Sequence, residues 1–193
     1  MKNSKNILIT GANGQLALSI KKISSSYPDY NFYFKTSSEL DITQDSDIKD
    51  IFNEIAFDYC INCAAYTAVD KAESEEEKAY EVNAEAVKYL AEACTINRTV
   101  LIHISTDFIF DGKSTKPYLE DDKPNPISVY GASKLKGEEY IKALLANYFI
   151  IRTSWVYSEF GNNFVKTMLR LAKDRDKLSV VSDQKGTPTY AGD

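Results

Sequence analysis

The chain is poor in the residues that carry most metal and redox chemistry. Its 193 residues include three cysteines, Cys60, Cys63 and Cys94, and one histidine, His103. An odd, sparse set of cysteines argues against a disulfide framework. Cys60 and Cys63 form a C-x-x-C, but "YCINCAA" reads as a strand interior, where residues three apart face opposite sides. The thiols are therefore read as buried apolar groups. A lone histidine cannot build a metal site, and His103, inside "VLIHIS", is read as a satisfied core residue. No convergent carboxylate cluster stands in for it, so no metal is expected.

Long apolar runs are also missing, and none approaches a membrane span. The opening "MKNSKNILITG" passes straight into an apolar strand, without the long apolar region and cleavage site of a secretory signal. A cytoplasmic location is the expectation, with no membrane partner. Positive charge is outweighed: 23 Lys and Arg against 28 Asp and Glu give a net charge of -5. That balance argues against a nucleic-acid surface. There is no short-period repeat and no low-complexity segment. The acidic run "ESEEEK" reads as the solvated first turns of a helix, where glutamate favours the dipole.

What is present is alternation. Strands are expected over 6–10, 31–35, 58–65, 99–105, 148–155 and 177–183. Helices are expected from Gln15 through "QLALSIKKISS", in "DIKDIFNEIA", over 74–97, from about Tyr130, and in "NNFVKTMLRLAKD". Strand then helix, repeated, implies parallel strands with right-handed crossovers. Several strands are continuously apolar, as in a sheet covered on both faces. The fold class is thus α/β, a doubly wound parallel sheet. The Pro-rich stretch 116–126 is the one long loop, a usual place for a lid or binding segment.

"TGANGQLA" (10–17) follows the first strand and opens the first helix. Gly11 permits a tight turn, and Gly14 lets backbone approach a pyrophosphate at the helix N-terminus. Ala17 is small enough for close helix–strand packing. An ordinary strand-to-helix turn looks similar, but at the head of an alternating chain the dinucleotide reading is preferred. The end of the second strand offers Phe34, Lys35 and Thr36 rather than the acid that holds a NAD ribose. Lys35 suits a 2′-phosphate, which favours NADPH and leaves NADH open. Asp41 and Ile42 are better placed for the adenine end.

Tyr130 and Lys134 stand four apart, on one helix face. A lysine beside a tyrosine is expected to lower the phenol pKa and make it a proton donor or acceptor near neutrality. Such a pair also fits an ordinary surface helix. "ISTDFIFDG" (104–112) decides between them, because its strand ends on the edge where the first strand meets the glycine turn. That places Thr106 near the bound nucleotide.

Together "TGANGQLA", "CAAYTAVDKAE", "VNAEAV", "STDFIFDG", "VYGASKLKGE" and "RTSWVYSEFGNNFVKTML" resemble the extended short-chain dehydrogenase/reductases. The resemblance runs from about Ile7 to Asp193. It implies a Rossmann domain with a smaller substrate-binding part, and reduction of the 4-keto group of a nucleotide-linked deoxysugar by NADPH or NADH. By resemblance Thr106, Tyr130 and Lys134 are catalytic. Tyr130 protonates the developing alkoxide, Lys134 tunes Tyr130 and bonds the nicotinamide ribose, and Thr106 bonds the sugar oxygen. Gly11, Asn13, Gly14, Gln15, Leu16, Asp41, Ile42, Ala64, Ala65, Tyr66 and Thr67 line the cofactor. Asn83 supports the site and Ser105 its cofactor side, while Asp107 and Trp155 face the sugar. Related dehydratases carry a glutamate base where this chain has Phe108, so simple reduction is favoured.

Members of this family usually continue well beyond "GTPTYAGD". The expectation is a single NAD(P)-binding domain over 1–193, with residues from about 155 to 193 beginning an incomplete substrate lobe. Two other readings stay open: reduction of another nucleotide-linked keto-sugar, and a non-catalytic nucleotide-binding regulatory subunit. The resemblance also leaves open a homodimer and a magnesium dependence.

Overall fold

The computed structural model describes residues 4–182 and 184–193. Five strands form one parallel sheet: β1 (Lys5–Thr10), β2 (Tyr30–Lys35), β3 (Tyr59–Asn62), β4 (Val100–Thr106) and β5 (Tyr148–Thr153), in the order β2-β1-β3-β4-β5. The chain runs from β1 outward to β2 and returns to place β3 on the other side of β1. The strand order reverses there, so the carboxyl ends of β1 and β3 flank the crevice where doubly wound sheets bind ligands.

Helices cover both faces. Leu8, Cys60 and Leu101 pack under α2 (Asp45–Glu54), α5 (Ala86–Asn97) and α6 (Val129–Leu144), in a core with Ile48, Phe52, Leu90 and Ile141. Ile7 and Ile9 point the other way, with Phe32, Phe34 and Ile61, towards Ala17 of α1 (Gln15–Ile23). Alternate residues of each strand thus feed two cores, which is why the strands read as unbroken apolar runs. The second face is covered unevenly. On β5, Phe149 and Ile151 are exposed.

The helix expected over 74–97 is interrupted. After α3 (Val69–Ala72) come α4 (Glu76–Tyr80), a π-helical turn at Glu81–Glu85, and α5. The turn lets Asn83 reach the loop after β3: its Oδ1 accepts from Tyr66 N at 2.9 Å and its Nδ2 donates to Tyr66 O at 3.0 Å. It also brings Asn83 O against α6, where a β-carbon on Gly137 would lie 2.3 Å from that oxygen. Such π turns recur at functional sites.

Two other expectations are corrected. β3 ends at Asn62 rather than Ala65, because the next residues leave the ladder as the loop at the switch point. No strand forms over 177–182, although "SVV" is apolar, because no neighbouring strand pairs with it; Asp183 lies outside the described residues. Past β5 come β6 (Val156–Tyr157) and α7 (Phe164–Asp174), then β7 (Thr189–Tyr190), which pairs with β6. α7 buries no residue. The cysteines are all free, and Cys60 packs beside Cys94.

Candidate active site

The glycine turn and the loop after β3 touch. Gly11 has φ +64°, and a β-carbon there would lie 2.7 Å from Ala64 N, so only glycine allows the contact. The turn is tied to β2 by Ala12 N donating to Lys35 O at 3.0 Å. Gly14 precedes α1, and no side chain caps that helix. Its first N–H groups and its positive dipole end therefore suit an anion. Asn13 and Gly14 are exposed and Leu16 half-buried. Ala64, Ala65 and Tyr66 are half-buried beside them and Thr67 is exposed. These features fit a dinucleotide on observations of backbone conformation and contact.

The second group lies at the end of β4. The Thr106 hydroxyl caps a 3-10 turn (Asp107–Ile109), accepting from Phe108 N at 3.2 Å and donating to Asp107 Oδ1 at 3.2 Å. Tyr130, delivered by the first turn of α6, lies on the same side of this turn. Ser128 caps α6 by accepting from Gly131 N at 3.1 Å. A β-carbon at Gly131 would sit 2.1 Å from Phe108 O, so glycine lets this helix close on the turn. Phe108 packs edge-on against Tyr130 at 5.5 Å.

The expected lowering of the Tyr130 pKa is not found. Burial pushes it above the ordinary phenol value; the neighbouring Thr106 hydroxyl works the other way, and Asp107 adds a small push upward. The reason is the direction of Lys134, whose Nζ donates to Ile104 O at 2.7 Å and meets His103 Nε2 at 3.3 Å. Lys134 is itself driven down to about 8, chiefly by burial and against the pull of Glu138. Asp107 is raised, with burial the leading cause.

Several expected ligand residues turn their side chains elsewhere. Ile42 belongs to the core, and the Asp41 carboxylate is held by Thr43 N and Oγ1. Asn83 is buried, with its amide used by Tyr66 and by Ser133 Oγ. The Ser105 hydroxyl donates to Glu138 Oε1 at 2.6 Å, behind the strand. Gln15 reaches the C-terminal segment, donating to Val156 O at 3.0 Å and accepting from Ser158 at 3.3 Å. Trp155 stands in that segment, exposed, with its ring edge-on to Phe164 at 5.1 Å.

Sequence reasoning missed two polar groups behind the site. One is the chain Thr10, Asn62, His103, Lys134. The other is Glu138, fully buried and held by Arg152 at 2.7 and 3.0 Å, with Lys142 at 3.2 Å. Arg152 also donates to Glu120 O at 3.1 Å, which ties in the long loop. The available signal was register: Leu101, His103 and Ser105 alternate onto the face that α6 covers. Among the described residues no cluster of three or more His, Cys, Asp or Glu is placed to hold a metal. No described helix is long and apolar enough to cross a membrane. A cavity of about 370 Å³ between α2 and α5 contains none of the strand-end residues and is separate from this site.

A parallel sheet with this switch point, glycine turn and Tyr-Lys helix defines a doubly wound, Rossmann-type α/β fold. Residues 5–193 match the family model described as the RmlD substrate binding domain, and the chain belongs to that family. It is 48% identical over 187 residues to a dTDP-4-dehydrorhamnose reductase of Aggregatibacter actinomycetemcomitans, covering 97% of this chain and 64% of that protein. It is similar to the crystal structure of a dTDP-4-dehydrorhamnose reductase from Clostridium acetobutylicum (TM-score 0.93, 46% identity, 97% of this chain and 66% of that one). It is also similar to that of Bacillus anthracis in complex with NADP (TM-score 0.92, 45% identity, 97% and 66%). The chain thus spans slightly less than two thirds of these relatives.

Proposed function

We propose that the chain is the cofactor-binding and proton-donating part of an NAD(P)H-dependent reductase. Its substrate would be the 4-keto group of dTDP-4-dehydro-L-rhamnose, and its product dTDP-L-rhamnose for cell-surface polysaccharide. The observation that carries this reading is the close seating of the Tyr130 turn of α6 against the Thr106–Phe108 turn at the carboxyl end of β4, on the sheet edge that carries the Gly11–Ala64 contact. All three relatives described above bear the corresponding name, and one is in complex with NADP.

Gly11, Asn13, Gly14, Leu16, the Ala64–Thr67 backbone and Lys35 would hold the nucleotide. When bound, reduced nicotinamide supplies a hydride. Tyr130 is a protonated phenol near neutrality and so has a proton to give to the developing alkoxide; burial, by raising its pKa, makes it a weaker acid than an ordinary phenol. Thr106 offers a hydroxyl to the same oxygen. Phe108 cannot act as a base, so the site lacks the group a dehydratase would need there. Asp107 and Trp155 would face the sugar. The likeness to biosynthetic relatives supports a cytoplasmic enzyme and leaves the homodimer to be tested.

The test mixes the protein with dTDP-4-dehydro-L-rhamnose and NADPH and follows nucleotide absorbance. Oxidation is expected, with a loss of about 10²–10⁴-fold in Tyr130→Phe, the usual worth of a general acid. Equal rates in the two proteins would remove Tyr130 from the mechanism. A protein that binds NADPH but leaves this sugar unreduced would remove the substrate.

A further inference from the structure

The two turns that carry Thr106 and Tyr130 meet through an apolar contact. Phe108 lies edge-on to Tyr130 at 5.5 Å, and its carbonyl oxygen fills the space a β-carbon on Gly131 would need. Apolar contact is non-directional, so it does not itself fix how one turn sits along the other. The two turns are also the ends of one loop, which leaves the 3-10 turn at Phe110 and enters α6 at Ser128. Whatever holds that loop therefore holds Thr106 against Tyr130.

The strand, the helix and the loop come together on Arg152. Register sets Arg152 on β5 beside Ser105, one residue before Thr106. Its Nε and Nη2 donate to the two oxygens of Glu138 at 3.0 and 2.7 Å. Glu138 stands two turns after Tyr130 on α6, and its Oε1 also accepts from Ser105 Oγ at 2.6 Å. The third nitrogen, Nη1, donates to Glu120 O in the loop at 3.1 Å. The guanidinium lies over the Phe110 ring at 5.5 Å, and Phe110 stacks on Tyr118 at 4.2 Å. Beyond that stack the loop is tied to itself. Tyr118 Oη donates to Asp111 Oδ1 and Asn125 Nδ2 to Asp111 Oδ2, each at 3.0 Å, and Asn125 N donates to Ile109 O at 2.9 Å.

On the reading that Thr106 and Tyr130 form a reducing site, we propose that Arg152 is a positioning residue for it. Arg152 pins the loop 110–127 to β4 and α6, and so holds the two hydroxyls in one arrangement. Its charge alone does not do this. A lysine can pair with Glu138, but it lacks the fork that reaches two carboxylate oxygens and a carbonyl, and the flat face that lies on Phe110.

The test is Arg152→Lys, which keeps a cation beside Glu138 and releases the loop. Tyr118→Leu is its companion: it leaves the Arg152–Glu138 pair whole and removes the loop's side of the stack. Hydrogen exchange in the nucleotide-free proteins reads the pinning. The amides of Phe108, Asn125 and Gly131 report the Thr106 turn, the loop closure and the α6 cap. They should exchange about tenfold faster in both variants, with β1 and β3 unchanged. Turnover of dTDP-4-dehydro-L-rhamnose reads the consequence. In both variants kcat should fall about tenfold to hundredfold, as for misplaced reacting groups, while the KM for NADPH stays within about twofold. Unchanged exchange at the three amides in Arg152→Lys would overturn the proposal. So would faster exchange throughout the sheet, a loss carried by the KM for NADPH, or an unchanged kcat with a released loop. If Arg152→Lys does not fold, the same readings in Tyr118→Leu decide it. If the wild type reduces no sugar, the proposed function falls, and the exchange result still decides whether Arg152 pins the loop.

Discussion

Residues 5–153 and residues 154–193 are held together by different forces. In the first region the strands feed two apolar cores, and the polar groups at the strand ends are buried and partnered. Among the described residues no buried side-chain nitrogen or oxygen lacks a hydrogen-bond partner. In the second region α7 buries nothing, and Trp155, Phe164, Leu169 and Val181 are exposed. Its links to α1 of the first region are polar. Gln15 grips Val156 and Ser158, Lys22 pairs with Glu159 at 2.5 Å, and the two-residue strands β6 and β7 pair with each other. Apolar burial gives cooperative stability, whereas exposed polar contacts leave segments that open locally.

The largest break in this comparison comes from Arg152→Met. It removes the two shortest cationic contacts of the buried Glu138 carboxylate, leaving it Ser105 and the half-exposed Lys142, and should cost about 2–3 kcal/mol in denaturant melts, unfolding the first region as a unit. Arg152→Met with Glu138→Leu should recover most of that loss. The same pair predicts an acid dependence. Burial alone would raise the Glu138 pKa, but hydrogen bonds from Arg152 and Ser105 outweigh it and hold the carboxyl below its ordinary 4.5. The contribution is therefore complete above that value and is lost as pH falls below it, through the folded pKa. In Arg152→Met that acid-side loss should shrink.

Gln15→Ala is the smaller break and sharpens the contrast. It removes the grip on the second region without touching either core. Amides of residues 156–163 should exchange faster by about fivefold to tenfold, the worth of about 1 kcal/mol, with β1, β3 and β4 unchanged. A matching loss of protection in the sheet would show that the two regions share one cooperative unit.

The same division explains what the sequence revealed. The five main strands, α1, α2, α6 and α7 were legible because periodicity and glycine turns are local signals. The π turn was not, because it exists to bring Asn83 to Tyr66, a contact between distant segments. β6 and β7 are too short to carry a pattern, and "SVV" had the composition of a strand without a partner. In the site, Tyr130, Lys134, Thr106 and the glycine turn were legible as motifs. The direction of the Tyr130 pKa was misread because the i, i+4 rule gives a shared helix face but not where Nζ points. His103, read as a plain core residue, is buried as expected, and its partners appear only once three strands are in register.

The central claim is that the Gly11 turn and the loop after β3 form a nucleotide site in this chain. Calorimetric titration with NADPH, in the wild type and in Gly11→Ala, tests it most directly. The substitution drives a β-carbon towards Ala64 N at a positive φ, a strain of about 1–3 kcal/mol. The account predicts one NADPH per wild-type chain and an affinity at least about tenfold weaker in the variant. No binding heat across the accessible concentration range, or equal affinity in the two folded proteins, would contradict it.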